Sequence, residues 1–221
     1  MGVLKKMANK LILINEIGQQ APIDHFANLN YRFTGNNGTI IIHEDLQITE
    51  RLGITCGENA VVFIGKKNKI NRASLSAGAC NSLISIGDRN FLRQFSVFAD
   101  NEPNLTVRIG NDCLFSTGIT FRASDGHTIF DTASGEIINR PKYGIIVEDH
   151  VWIGQNVSIL KDTYISKDSI VAMGAVVSKE FKEDSVIVAG VPAKIVKRSI
   201  NWDIRNIYSF EAGLSIPSVE I

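Results

Sequence analysis

His127 is the residue of this sequence best suited to move a proton. It stands in the phrase Ser124-Asp125-Gly126-His127-Thr128-Ile129-Phe130-Asp131. An imidazole titrates near neutrality and so serves as a general base or acid at physiological pH. A carboxylate accepting from the second ring nitrogen would fix its tautomer, as in a catalytic triad, and Asp125 and Asp131 both stand close by in the chain. The residues alone do not choose between them, and each aspartate equally suits a loop cap or turn. Taken alone, a loop histidine is most often a solvated surface residue. What sets His127 apart is the pattern that surrounds it.

That pattern is a repeat. Val147, Ile153, Ile159, Ile165, Val171 and Val177 follow one another at steps of six, and Val151, Val157, Thr163, Ser169 and Ala175 do the same four residues after each of the first five. Six is an even step, so it keeps side chains on one face of a strand and does not match a helical period. Branched aliphatics at the anchors favour strands. Short strands turning every six residues describe a solenoid of parallel strands around a dry centre, with each anchor stacked on the one a coil away. Upstream the register returns in pieces: Ile42, Ile48, Ile54; Ile64, Ile70, Ser76; Ile86, Leu92, Phe98; and Ile109, Phe115, Phe121. Phrases ending in Ile-Gly open these coils at Ile64, Ile86, Ile109 and Ile153, and Asn68 and Asn90 take corner places. Between Phe121 and Val147 the register breaks, and an insertion of that size in a tight solenoid is usually a functional loop or a flexible excursion. It carries His127, both aspartates, Asn139 and Arg140. Alternation also turns Trp152 outward if Ile153 points in.

Composition bounds the rest. The 221 residues carry 23 Lys and Arg against 23 Asp and Glu, a balance that argues against nucleic-acid binding. Cys56, Cys80 and Cys113 are scattered, so neither a disulfide framework nor a zinc ribbon is indicated, and buried reduced thiols are expected. The apolar run at residues 11–14 is too short for a signal-peptide core or a membrane span and reads as a first strand. The expectation is a cytoplasmic, all-β single domain. Its parts are an N-terminal cap over about residues 1–38, a β-helix over 39–180 with an inserted loop at 122–146, and a C-terminal segment over 181–221. The last is expected to bear a short helical stretch among Trp202, Ile204, Ile207, Tyr208 and Phe210.

The repeat, the Val151-Trp152-Ile153-Gly154 and Met173-Gly174-Ala175-Val176-Val177 phrases and the closing Ala189-Gly190-Val191-Pro192-Ala193-Lys194 resemble the hexapeptide-repeat acyltransferases. The segment 124–131 is similar to that of their members that O-acetylate bacterial surface polysaccharides, polysialic acid capsules among them. The resemblance implies a left-handed parallel β-helix, a homotrimer with sites between subunits, acetyl-CoA as donor and a carbohydrate hydroxyl as acceptor. It implies His127 as general base, with Asp125 beside it, and Trp152 as a wall of the acceptor or acetyl-CoA site. It places pantetheine along Gly154, Gly174 and Ala175, and the nucleotide phosphates near Ser178, Lys179, Lys194 and Lys197. Gln155 stands where the family commonly has serine, so any role for that hydroxyl is lost or replaced. No metal is expected.

Three rivals stay open at this stage: a small alcohol, antibiotic or amino-sugar acceptor; a zinc lyase of the γ-carbonic anhydrase type, which would need three converging histidines; and a non-catalytic carbohydrate-binding β-helix. For Trp152 the plain alternative is packing against the inserted loop or another subunit. His150 reads as a structural turn residue, and His25 and His43 receive no role.

Overall fold

The computed structural model describes residues 8–214. The chain winds as a left-handed parallel β-helix of about seven turns with three flat faces. On the first face Lys10–Ile14, Thr39–His43, Val61–Ile64, Leu83–Ile86, Thr106–Ile109, Gly144–Val147 and Thr163–Ile165 stack in parallel register. The long strands Gln47–Cys56, Lys69–Ala77 and Phe91–Phe98 run along the second face and on into the third. Later coils break at that corner. There Leu114–Phe115, Trp152–Ile153, Ile170–Val171 and Ile187–Ala189 continue the second face, while Ile119–Arg122, Ser158–Leu160 and Val176–Val177 continue the third. The parallel ladder thus extends past residues 39 and 180 at both ends.

All eleven residues of the unbroken repeat are fully buried. Stacking like on like fills the prism, and Phe95, Phe115 and Phe121 form its aromatic centre, with Phe115 and Phe121 stacked at 5.6 Å. Two anchors expected from the register point outward. In the coils holding Ile70 and Leu92 the corner between the second and third faces has two residues between inward side chains, against three after Phe115. One residue fewer flips everything after it. Leu75 and Val97 are therefore the buried members, and Ser76 and Phe98 face out.

Polar residues do their work at the corners. Asn68 Nδ2 donates to the carbonyls of Gly65 (2.8 Å) and Gly87 (2.7 Å), and its Oδ1 accepts from Asn90 N. Asn90 repeats the device one coil on. At the corner between the first and second faces, Lys67, Arg89, Asp112, His150, Asp168 and Ser185 form a column with positive φ. His150 has φ 56°, its Nδ1 lies 2.9 Å from Asp168 Oδ1, and it belongs to this structural column. Cys56 and Cys113 are buried and Cys80 is only half-buried, so the expectation of three buried thiols holds for two.

The C-terminal segment folds back. Lys194–Lys197 pairs antiparallel with Ile187–Ala189 and closes the ladder. The helix after it is shorter than expected, Ile207–Glu211, capped by Asn206, whose side chain accepts from Ser209 N. Trp202 and Ile204 precede it outside the helix. Among the described residues, no helix is long and apolar enough to cross a membrane.

Candidate active site

The excursion occupies residues 123–143, leaving the third face after Arg122 and rejoining the first at Gly144. Ser124 Oγ fixes its root by donating to the Asp100 carbonyl at 2.8 Å. Gly126, at φ 81°, turns the chain where a Cβ would lie 3.3 Å from Asn101 Nδ2 and 3.5 Å from an Arg122 guanidinium nitrogen. His127 follows with its side chain exposed. Asn139 reaches across the loop: its Nδ2 donates to the His127 carbonyl (2.8 Å) and to Asp125 Oδ2 (2.9 Å), and its Oδ1 accepts from Ile129 N (2.9 Å). Lys161, from the next coil, donates to the Asp125 carboxylate and to the Asn139 carbonyl. Phe130 and Ile137 bridge antiparallel farther out.

Neither aspartate does what the triad analogy suggests. Asp125 turns to Lys161 and Asn139, and no hydrogen bond joins it to the His127 ring. Partial burial would raise its carboxyl, but the hydrogen bonds from Lys161 and Asn139 and the nearby Lys161 and Arg122 charges outweigh this and hold it below the usual range. Asp131 caps a turn at the loop tip, accepting from Ala133 N, Ser134 N and Ser134 Oγ, and those bonds hold its carboxyl low. The capping role explains Asp131 completely.

Trp152 stands outward on the second face, 39% exposed, between Leu114 and Ile170 of the neighbouring coils. Its partner is the C-terminal segment, not the inserted loop. Trp202 lies 6.1 Å from it, stacks on His150 at 4.3 Å and donates from Nε1 to the His150 carbonyl at 2.9 Å. Together with Ile170, Arg205, Tyr208 and Phe210 the two indoles wall an open cleft of about 1180 Å³. Within one chain, His127 and Trp152 stand on different edges: the loop leaves the corner between the third and first faces, whereas Trp152 follows the corner between the first and second.

Gly154 and Gly174 mark the corner between the second and third faces. A Cβ on Gly154 would meet Met173 N at 2.7 Å, so the coil spacing itself requires glycine there. Gly174 has φ 73° and open space beside it. Ala175 has its side chain in the core; its N–H donates to Ala172 O and its carbonyl accepts one bond, from Ser158 N. Ser178 and Lys179 are exposed on the last corner before Phe181, with Lys179 Nζ 5.4 Å from that ring. Lys194 and Lys197 are exposed at the ends of the closing strand. Sequence reasoning gave no role to Lys161 or Asn139 and did not pair Trp202 with His150. The six-residue period marks only the inward places at Ile159 and Thr163 on either side of Lys161, so nothing in the pattern marks it.

No family model matches the chain. Its sequence is 32% identical over 180 residues to a polysialic acid O-acetyltransferase of Neisseria meningitidis, covering 81% of this chain and 72% of that protein. It is 38% identical over 122 residues to the polysialic acid O-acetyltransferase of Escherichia coli O1:K1, covering 55% of this chain and 38% of that one, so the match spans well under half of the longer relative. The crystal structure of the polySia specific acetyltransferase NeuO superposes with a TM-score of 0.76 at 30% identity, covering 94% of this chain and 96% of that one. The fold, the interrupted coil and these likenesses lead to one conclusion: the chain belongs to the polysialic acid O-acetyltransferase family of hexapeptide-repeat acyltransferases.

Proposed function

We propose that this protein transfers the acetyl group of acetyl-CoA to a hydroxyl of an acidic capsular polysaccharide of the polysialic acid type, with His127 as general base. The observation that carries the reading is the single long interruption of the coil: it presents an exposed histidine on a loop tied to the rigid scaffold, in a chain whose relatives are named for this transfer. Both ring nitrogens of His127 are without a partner within the described residues, so one is available to a hydroxyl proton. As the hydroxyl oxygen bonds to the thioester carbon, His127 takes its proton. The carbonyl oxygen becomes an oxyanion held by N–H donors, and the carbon–sulfur bond then breaks. The imidazolium returns the proton to the departing sulfur, so coenzyme A leaves as the thiol and no acetyl-enzyme forms.

The donor lies along the corner of Gly154 and Gly174, with Ser178, Lys179, Lys194 and Lys197 toward its phosphates as exposed hydrogen-bonding groups and point charges. Trp152 walls the acceptor side. Because His127 and Trp152 stand on different edges of one prism, a homotrimer in which the loop of one chain meets the indole of the next assembles the site. The reaction takes place in the cytoplasm, where acetyl-CoA is made.

The test is thiol release from acetyl-CoA with polysialic acid and other capsule saccharides, run on wild type and His127→Ala. Turnover with a sialic acid polymer is expected, together with a fall of about 10²–10⁴-fold in the variant, the usual worth of a general base. Undiminished turnover in the variant removes His127 from the chemistry. Acetyl-CoA binding without release on any saccharide removes the polymer acceptor, and a monomer in light scattering removes the shared site.

A further inference from the structure

The proposed base carries no side-chain support on its own ring, yet its backbone carbonyl is tied across the loop by Asn139. The ties converge on a two-residue corner of the following coil, Lys161 and Asp162. Lys161 Nζ donates to the Asp125 carboxylate on the outgoing limb and to the Asn139 carbonyl on the returning limb. Asp162 Oδ1 accepts from Lys142 N (2.8 Å) and Tyr143 N (3.1 Å), capping the return. Asn139 carries the connection inward. It grips the His127 carbonyl, the Ile129 N–H and Asp125 Oδ2 at once, so the chain is pinned at His127 and two residues beyond it.

We propose that Lys161, acting through Asn139 and Asp125, is the positioning residue that holds His127 in its working orientation; this rests on His127 being the base. Lys161 stands on the coil between Leu160 and Thr163, both strand residues, so it refers the loop to a rigid frame. Its side chain is 21% exposed and that of Asp125 38%. The pair is thus partly withdrawn from solvent, and deleting the ammonium leaves the carboxylate without its cation and the Asn139 carbonyl without that donor. Both limbs then lose their common anchor. A loop histidine displaced by about 1 Å loses roughly a hundredfold in rate, because reaction demands close alignment.

The experiment compares kcat, KM for acetyl-CoA and thermal melting for Lys161→Met, Lys161→Arg and Asn139→Ala, with Lys161→Met also placed in His127→Ala. The expected result is a kcat lowered about 10–100-fold in Lys161→Met and Asn139→Ala with KM for acetyl-CoA within about twofold, since orientation and not donor binding is lost. Melting stays near that of wild type, and Lys161→Arg recovers most of the rate because guanidinium keeps the paired donors. In the His127→Ala background Lys161→Met adds no more than about twofold, as residues acting through one group do not add. A kcat within about twofold of wild type in Lys161→Met, or a full multiplicative loss in the double variant, overturns the proposal. His127→Ala with intact turnover overturns the base assignment and this proposal with it, an outcome read from a different variant.

Discussion

Asn90→Ala tests whether the corner asparagines hold the coils together. Asn90 is 2% exposed, its Oδ1 accepts from Cys113 N at 2.7 Å and its Nδ2 donates to the Gly110 carbonyl at 3.0 Å. Neither backbone group has another partner among the described hydrogen bonds. The bond from Asn90 N to Asn68 Oδ1 is made by the backbone and survives the substitution. Alanine therefore leaves one buried donor and one buried acceptor unpaired. At about 1–3 kcal/mol for each, the loss sums to roughly 2–6 kcal/mol, before any contribution from the small void. Guanidinium denaturation followed by far-UV circular dichroism measures it, with Asn36→Ala as control. Asn36 is exposed and its side chain makes no hydrogen bond, so the control should stay within about 0.5 kcal/mol. If Asn90→Ala unfolds at the same midpoint as the control, water or a backbone shift satisfies the orphaned groups and the ladder argument fails.

Two further expectations follow from the coil geometry. Gly154→Ala drives a Cβ into Met173 N at 2.7 Å and Val171 O at 3.1 Å, backbone atoms that cannot swing away. A loss of about 1–3 kcal/mol, read as a lowered melting temperature, should accompany weaker acetyl-CoA binding, and an unchanged melting curve would show that the coils spread freely. Burial pushes the Cys56 thiol up to about 11 and the Cys113 thiol up to about 12. A raised thiol pKa favours the folded state fully below the unfolded value, about 8.5, and that contribution is lost as pH climbs toward 11 and 12. At pH 8 a thiol reagent should therefore label half-buried Cys80 in the native protein and reach Cys56 and Cys113 only after unfolding; rapid labelling of all three would contradict the burial.

How much of this was legible in the chain depends on whether a residue's role is periodic. The run from Val147 to Val177 reads directly because each side chain repeats the environment of the one before it, and a shared environment selects a shared residue type. Ser76 and Phe98 misled for the converse reason. A corner shortened by one residue shifts the phase without changing composition, and only the alignment of Phe95 with Ile119 and Val97 with Phe121 across the ladder reveals the shift. The inserted loop was visible as a break, since the absence of a period is itself a signal, and His127 stood out within it by chemistry. Its supports did not. Lys161 occupies an ordinary corner place whose meaning comes only from Asp125, 36 residues earlier, lying opposite it. Asp131, attractive by nearness to His127, spends its oxygen on three local donors, which is what an aspartate does when a turn follows it. The pairing of Trp202 with His150 spans 52 residues. It is decided by how the closing strand reverses, after the repeat that made the rest of the chain readable has ended.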